Sequence, residues 1–229
     1  TEPAIIVASG AQQSAMNRIE QLLVERGSAS IRTYAPLRIH RVIAEQSNLA
    51  GSTCFSFYRS GGEVSYSSCI EAETGIDVTA DPSAQSLFTL NAEYSDFKIT
   101  SNGIKAVSTQ LRGHDLNFSG LSADGVAISL TGGDKSDVHG VRSNKTGRIL
   151  YLNGHSDCLW GLKGGRVEIW GGSRVRLFGD FSGSKDSAAV YANGTSELVL
   201  RNSTAKESYT GVALRGCQGA HIIGNAVHT

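Results

Sequence analysis

Leu150-Tyr151-Leu152-Asn153-Gly154, Val167-Glu168-Ile169-Trp170-Gly171 and Val190-Tyr191-Ala192-Asn193-Gly194 are three copies of one short pattern. Four more fit it: Phe88 to Ala92, Thr109 to Gly113, Ile128 to Gly132 and Val212 to Gly216. The third residues fall at 90, 111, 130, 152, 169, 192 and 214, with gaps of 21, 19, 22, 17, 23 and 22. The first and third residues are almost all apolar, two apart, as one buried face of a strand requires. The second is polar or aromatic and is expected to point outward. The fifth is Gly in six of the seven copies, where a corner needs positive φ. A second apolar strand follows each corner, as in Leu116 with Phe118, Val175 with Leu177 and Leu198 with Leu200.

A strand-corner-strand unit of about 21 residues reads as a coil whose turns stack through parallel ladders, about 4.8 Å apart. Leucine-rich and calcium-binding nonapeptide repeats are excluded because their signatures are absent. Such a coil needs its ends covered. Ser9 and Gln12 have capping-box spacing, Ala15, Ile19, Leu22 and Leu23 fall on one helical face, and Gly27 suits a helix end. The spacing therefore predicts a capping helix over 9–26. The organisation expected is an N-terminal segment and helix over 1–27 and a coil over 28–229. The last strand, Ala220 to Ile223, precedes only six residues. That predicts a fragment of a longer protein, or coverage by another chain, a second copy included.

Composition narrows the function classes. The 229 residues carry 21 Lys and Arg against 21 Asp and Glu, so no basic excess points to nucleic acid. No apolar run is long enough to span a membrane as a helix. The 27 glycines have no Gly-X-Y period, which excludes collagen. Cys54, Cys69, Cys158 and Cys217 lack zinc-ligand spacing, and buried free thiols are the expectation over a Cys54–Cys69 bridge. Four N-x-S/T triplets, at Asn117, Asn144, Asn193 and Asn202, fit a bacterial or viral chain better than a eukaryotic secreted one.

A helix over Ser14 to Arg26, then Ser30-Ile31-Arg32-Thr33-Tyr34, Leu37-Arg38-Ile39 and irregular glycine-marked turns, resembles the single-stranded right-handed parallel β-helix proteins. This pectin-lyase-like superfamily includes bacteriophage tailspikes. The resemblance covers 28–229 as architecture. It implies an all-β fold, a polysaccharide as partner, and an extracellular or virion-surface location. It implies a polysaccharide-active or polysaccharide-binding domain, with a non-catalytic adhesin or virion rod as the alternative. The N-T-D, D-D and R-I-K patterns of polygalacturonases do not occur, so lyase, hydrolase and epimerase chemistries stay open.

The outward column puts Glu168 between Tyr151 and Tyr191 on neighbouring turns. Tyrosine rings stack on sugar faces, and a carboxylate that they partly desolvate suits general acid or base work. The corners add His114-Asp115, Gly133-Asp134 and His155-Ser156-Asp157, read as three consecutive turns. Carboxylates one or two turns apart span the separations that glycosidases use. Glu168, with Asp134 or Asp157 as partner and His155 sharing a proton, is the expected catalytic set. Tyr151, Tyr191, Trp170 and Arg174 are the expected sugar contacts. The carboxylates could equally ligate Ca²⁺, although no calcium motif supports it and no metal residues are assigned. No cofactor follows from the sequence.

Overall fold

The computed structural model describes residues 4–7, 16–25, 29–46, 50–80, 87–144, 147–224 and 226–227. These residues form a parallel β-solenoid of about nine turns. Each turn lays one strand on each of three faces, and every strand pairs in parallel with its counterparts above and below.

The first face is read through one inward column: Ile5, Ile31, Phe55, Ile76, Ile104, Ile128, Leu150, Val167, Val190 and Val212 are level with one another. The second face begins with Asn17–Glu20, Leu37–His40 and Gly62–Ser65, and it ends with His221–Ile223. The third begins with Leu23–Glu25 and Ile43–Glu45. From Ile5 to Val212, nine turns give about 23 residues per turn.

The alternation of apolar and polar residues has the expected result, a single buried column of side chains down the axis. Phe97 and Phe118 stack across adjacent turns of the third face, with ring centroids 5.0 Å apart. Between the second and third faces a single left-handed residue turns the chain. Gln21, Arg41, Tyr66, Tyr94, Asp115, Gly140, Asn202 and Gly224 all have φ between 45° and 67° at this corner.

Three expectations are corrected. The helix over 9–26 is not found: Asn17–Glu20 and Leu23–Glu25 are strands of the stack, while 9–15 and 26 lie outside the described residues. Ile19 faces the interior above Ile39, and Leu23 pairs with Ile43. Of the apolar residues that satisfy helical spacing, Ile19 and Leu23 therefore lie in two short strands and Leu22 at the corner between them, while Ala15 lies outside the described residues.

The second correction is one of register. Leu90 and Leu111 lie on the second face, whereas Leu130, Leu152, Ile169, Ala192 and Leu214 lie on the first. Gly113 misleads because it is not a corner residue. It sits in a strand, where a Cβ would stand 2.5 Å from the carbonyl oxygen of Ala92. Gly132, Gly154, Gly171, Gly194 and Gly216 are the true corner glycines, all with φ between 59° and 68°.

Third, Cys54 and Cys69 form a disulfide, and both are fully buried. They join the first and third faces of one turn. Cys158 is a buried free thiol, as expected, and Cys217 is a partly exposed one. At the other end, Ile222 and Ile223 of the last second-face strand are about half exposed.

The Phe97–Phe118 stack should carry a large share of local stability. Phe118→Ala is expected to cost about 3–5 kcal/mol, read as a fall in the denaturant midpoint. A loss under about 1 kcal/mol would mean that the turns close over the gap.

Candidate functional site

Glu168 points outward between the buried Val167 and Ile169, level with Tyr151 on one side and Tyr191 on the other. The expected column is therefore assembled on the first face. Its immediate partners are others. Arg148 Nη1 donates to Glu168 Oε2 at 3.1 Å, and Trp170 Nε1 donates to Oε1 at 2.7 Å. Arg148 also packs over the Tyr151 ring, 5.6 Å from its centroid, and gives Nη2 to the carbonyl of Asp124. Both Arg148 and Glu168 side chains are only 22 % exposed, so their charge-assisted contact is shielded from bulk water.

Trp170 follows Ile169 at the strand end and stands on the surface, 37 % exposed. Its ring meets Tyr191 at 5.4 Å. Beside it lies a hollow of about 380 Å³ bounded by Arg166, Glu168, Trp170, Asp186, Tyr191 and Tyr209. Tyr209 is 78 % exposed. Arg148, Asp186 and Tyr209 were not found by sequence reasoning. Arg148 opens its strand, outside the five-residue pattern, while Asp186 and Tyr209 lie in connections between strands.

The other expected catalytic residues are elsewhere. Asp134 and Asp157 lie at the corner between the first and second faces, where Asp134 bridges to Ser156 of the next turn. Asp115 lies at a different corner, between the second and third faces, so the three aspartates do not form one column. Asp157 receives Arg174 Nη2 at 2.7 Å and Arg174 Nε as well. That hydrogen-bonded guanidinium holds the Asp157 carboxyl below the usual carboxylate range and raises the Arg174 pKa. Arg174, expected to meet sugar, is thus engaged by a corner neighbour. Among the described residues, no three His, Cys, Asp or Glu side chains converge to hold a metal ion.

His155, expected to share a proton with the carboxylates, lies inside the coil and away from Glu168's face. It is fully buried, with Nδ1 2.7 Å from the Gly132 carbonyl and Nε2 2.9 Å from Ser136 Oγ. Nδ1–H donates to the carbonyl, and Nε2 accepts from the serine hydroxyl. Ser136 Oγ in turn accepts the Leu111 N–H at 2.9 Å. The imidazole satisfies corner groups inside the coil. Burial lowers its pKa against the smaller opposing effects of the Gly132 carbonyl and Asp134.

The pattern also missed an aromatic stack on the corner between the second and third faces. Tyr66 and Tyr94 lie nearly parallel with centroids 4.8 Å apart, and Tyr94 meets His114 edge-on at 4.4 Å. Loss of solvent around its hydroxyl, then the nearby Tyr66, Asp115 and Glu93, raise the Tyr94 pKa. The two tyrosines occupy left-handed corner positions, which sequence patterns assign to Gly or Asn.

Comparison with protein-family models, with curated proteins and with solved structures gives no match.

His155 makes stability depend on pH. Its folded pKa lies below the unfolded value of about 6.5, so the unfolded chain takes up a proton first as pH falls. Stability is fully present above that value and declines below it. The melting temperature should drop between about pH 7 and pH 5, and His155→Gln should flatten that slope while lowering the whole curve. An unchanged slope in the variant would remove His155 as its source.

Proposed function

We propose that this solenoid is a polysaccharide-binding domain that holds a glycan against its first face, with Trp170, Tyr191 and Tyr209 as the sugar platform. The observation that carries the reading is the Trp170–Glu168–Arg148 arrangement. An exposed indole is fixed through its N–H by a carboxylate, which is itself fixed by a guanidinium. A flat apolar face beside an oriented charged pair offers what a pyranose needs: a surface for its C–H face and directional partners for its hydroxyls. The buried Cys54–Cys69 disulfide favours an extracellular or virion-surface setting, because such bonds persist in oxidising compartments. A parallel stack of turns supports a tailspike-like or pectin-lyase-like architecture in the same reading.

A second, catalytic reading rests on Asp186. It lines the same hollow as Glu168, whereas Asp134 and Asp157 lie round the corner. Two carboxylates facing one sugar can divide acid and base or nucleophile roles between them. Against it, both Glu168 oxygens already accept hydrogen bonds.

Retention on a glycan panel is the test. Trp170→Ala and Tyr191→Ala should each weaken retention of the cognate glycan about tenfold, in line with the loss of one aromatic contact of about 1.4 kcal/mol. Glu168→Gln should retain most of the affinity. Release of reducing ends by the wild type, abolished in Glu168→Gln and in Asp186→Asn, would replace binding by hydrolysis. Unchanged retention in both aromatic variants would remove the first face as the site.

A further inference from the structure

At the corner between the first and second faces, one left-handed residue in each of four successive turns is charged. Lys135, Asp157, Arg174 and Glu197 follow one another along the axis, all with φ between 52° and 55°. Their level is set by the backbone on either side of them: Asp134 bridges to Ser156, Cys158 pairs with Val175, and Ser173 bridges to Ser196. The signs alternate, positive, negative, positive, negative. Neutral residues bound the row. Gln110, on the turn before, gives its Nε2 to the Lys135 carbonyl at 2.9 Å, and Gly219 follows Gln218, whose carbonyl accepts the Glu197 N–H. Lys135 and Glu197 are three turns apart, about 14 Å along the axis.

Only the middle of this row is satisfied within the chain. Asp157 accepts from both Nε and Nη2 of Arg174. Lys135 and Glu197, at the two ends, have no oppositely charged group within ion-pair distance among the described residues. Lys135, Arg174 and Glu197 are exposed, and the Asp157 side chain is 34 % exposed. Towards the first face the corner carries only small residues beside the row, such as Gly154, Ser156, Ser173, Gly194 and Ser196. A Cβ at Gly154 or at Gly194 would meet no atom within 4 Å. The charged side chains therefore stand at the edge of a low strip that another surface can approach closely.

We infer that this corner row is a dimerisation surface for a second copy of the chain, laid antiparallel about a twofold axis that passes between Asp157 and Arg174. Read backwards, an alternating row of four charges is its own complement. Lys135 then faces Glu197 of the second copy, Asp157 faces its Arg174, and each contact occurs twice, as a twofold interface requires. The two charges left unpaired within one chain are each other's partners between chains. Antiparallel and in full register is the arrangement that sets opposite charges at all four levels. A slip of one turn sets like charges at all three remaining levels, and a parallel copy in register sets like charges at all four, so both are selected against. A twofold axis perpendicular to the solenoid axis leaves both first faces on the same side of the pair. Neither the surface nor its residues depend on the glycan reading.

Sedimentation equilibrium on the whole chain is the test. Wild type should show a reversible monomer–dimer equilibrium at about 0.05 M salt, with a dissociation constant at least about tenfold weaker at about 0.5 M. Lys135→Glu and Glu197→Lys each place like charges at both ends of the contact, so each variant alone should dimerise at least about tenfold more weakly. Mixed in equal amounts, the two variants restore opposite charges at both ends and should form a heterodimer close to wild type in strength. A role confined to one chain cannot produce that recovery. As a measurement independent of substitution, a zero-length carbodiimide should join the Lys135 amine of one copy to the Glu197 carboxylate of the other as an amide. Within one chain those groups are too far apart to be joined directly.

A wild type that stays monomeric at low salt overturns the inference, as does an assembly of any size other than two. A dimer that yields no Lys135–Glu197 cross-link, or a mixture that associates no more tightly than its separate variants, overturns it too.

Discussion

Everything in this molecule depends on the parallel backbone ladder between successive turns. A strand here has no hairpin partner, so its N–H and C=O groups are satisfied only by the turn above and the turn below. That constraint fixes the axial spacing of every side chain and leaves two directions open, into the core or out to solvent. Inward positions are filled by a continuous apolar column. Outward positions become straight rows, and the candidate site on the first face is built on one of them. The first-face row gives Tyr151, Glu168 and Tyr191 in order.

Much of this was legible in the residues because spacing of two is a strong signal where the interior is dry. The five turns after Ile128 carry the pattern cleanly, since each ends in a glycine that has to be left-handed. The first turns were harder. Their corners use Gln21, Arg41 and Tyr66 at positive φ, where no glycine marks the bend. Without that mark, Asn17 to Glu25 reads equally well as a helix, because Leu22 and Leu23 fall three and four residues after Ile19, although only Ile19 and Leu22 pack on the core while Leu23 is exposed. Gly113 shows the converse failure, a glycine demanded by close packing and read as a corner.

The site was legible in its row and illegible in its depth. Glu168 and its flanking tyrosines follow from register alone. The Arg148 contact joins positions two residues out of level on neighbouring turns, Arg148 being paired with Arg166, and no single-column reading contains such a diagonal. His155 stands beside Ser156 and Asp157 in the sequence and so reads with the corner carboxylates; the corner has an inner position, and the ring fills it. The disulfide was underestimated for a related reason. Cys54 and Cys69 are 15 residues apart and become neighbours only once the chain has turned twice within one turn of the coil.

That disulfide also determines how the solenoid answers a pulling force. In a stack of turns, tension on the chain peels one turn at a time from an end. The bond between Cys54 and Cys69 provides a shorter covalent route across its turn, so the 14 residues between them bear no load. The Gly62–Ser65 strand lies inside that bypass and keeps its pairing with Leu37–His40 until the turns beside it have been stripped away. The turn thus acts as a detent in the middle of the N-terminal stack, where stepwise peeling from either end is halted.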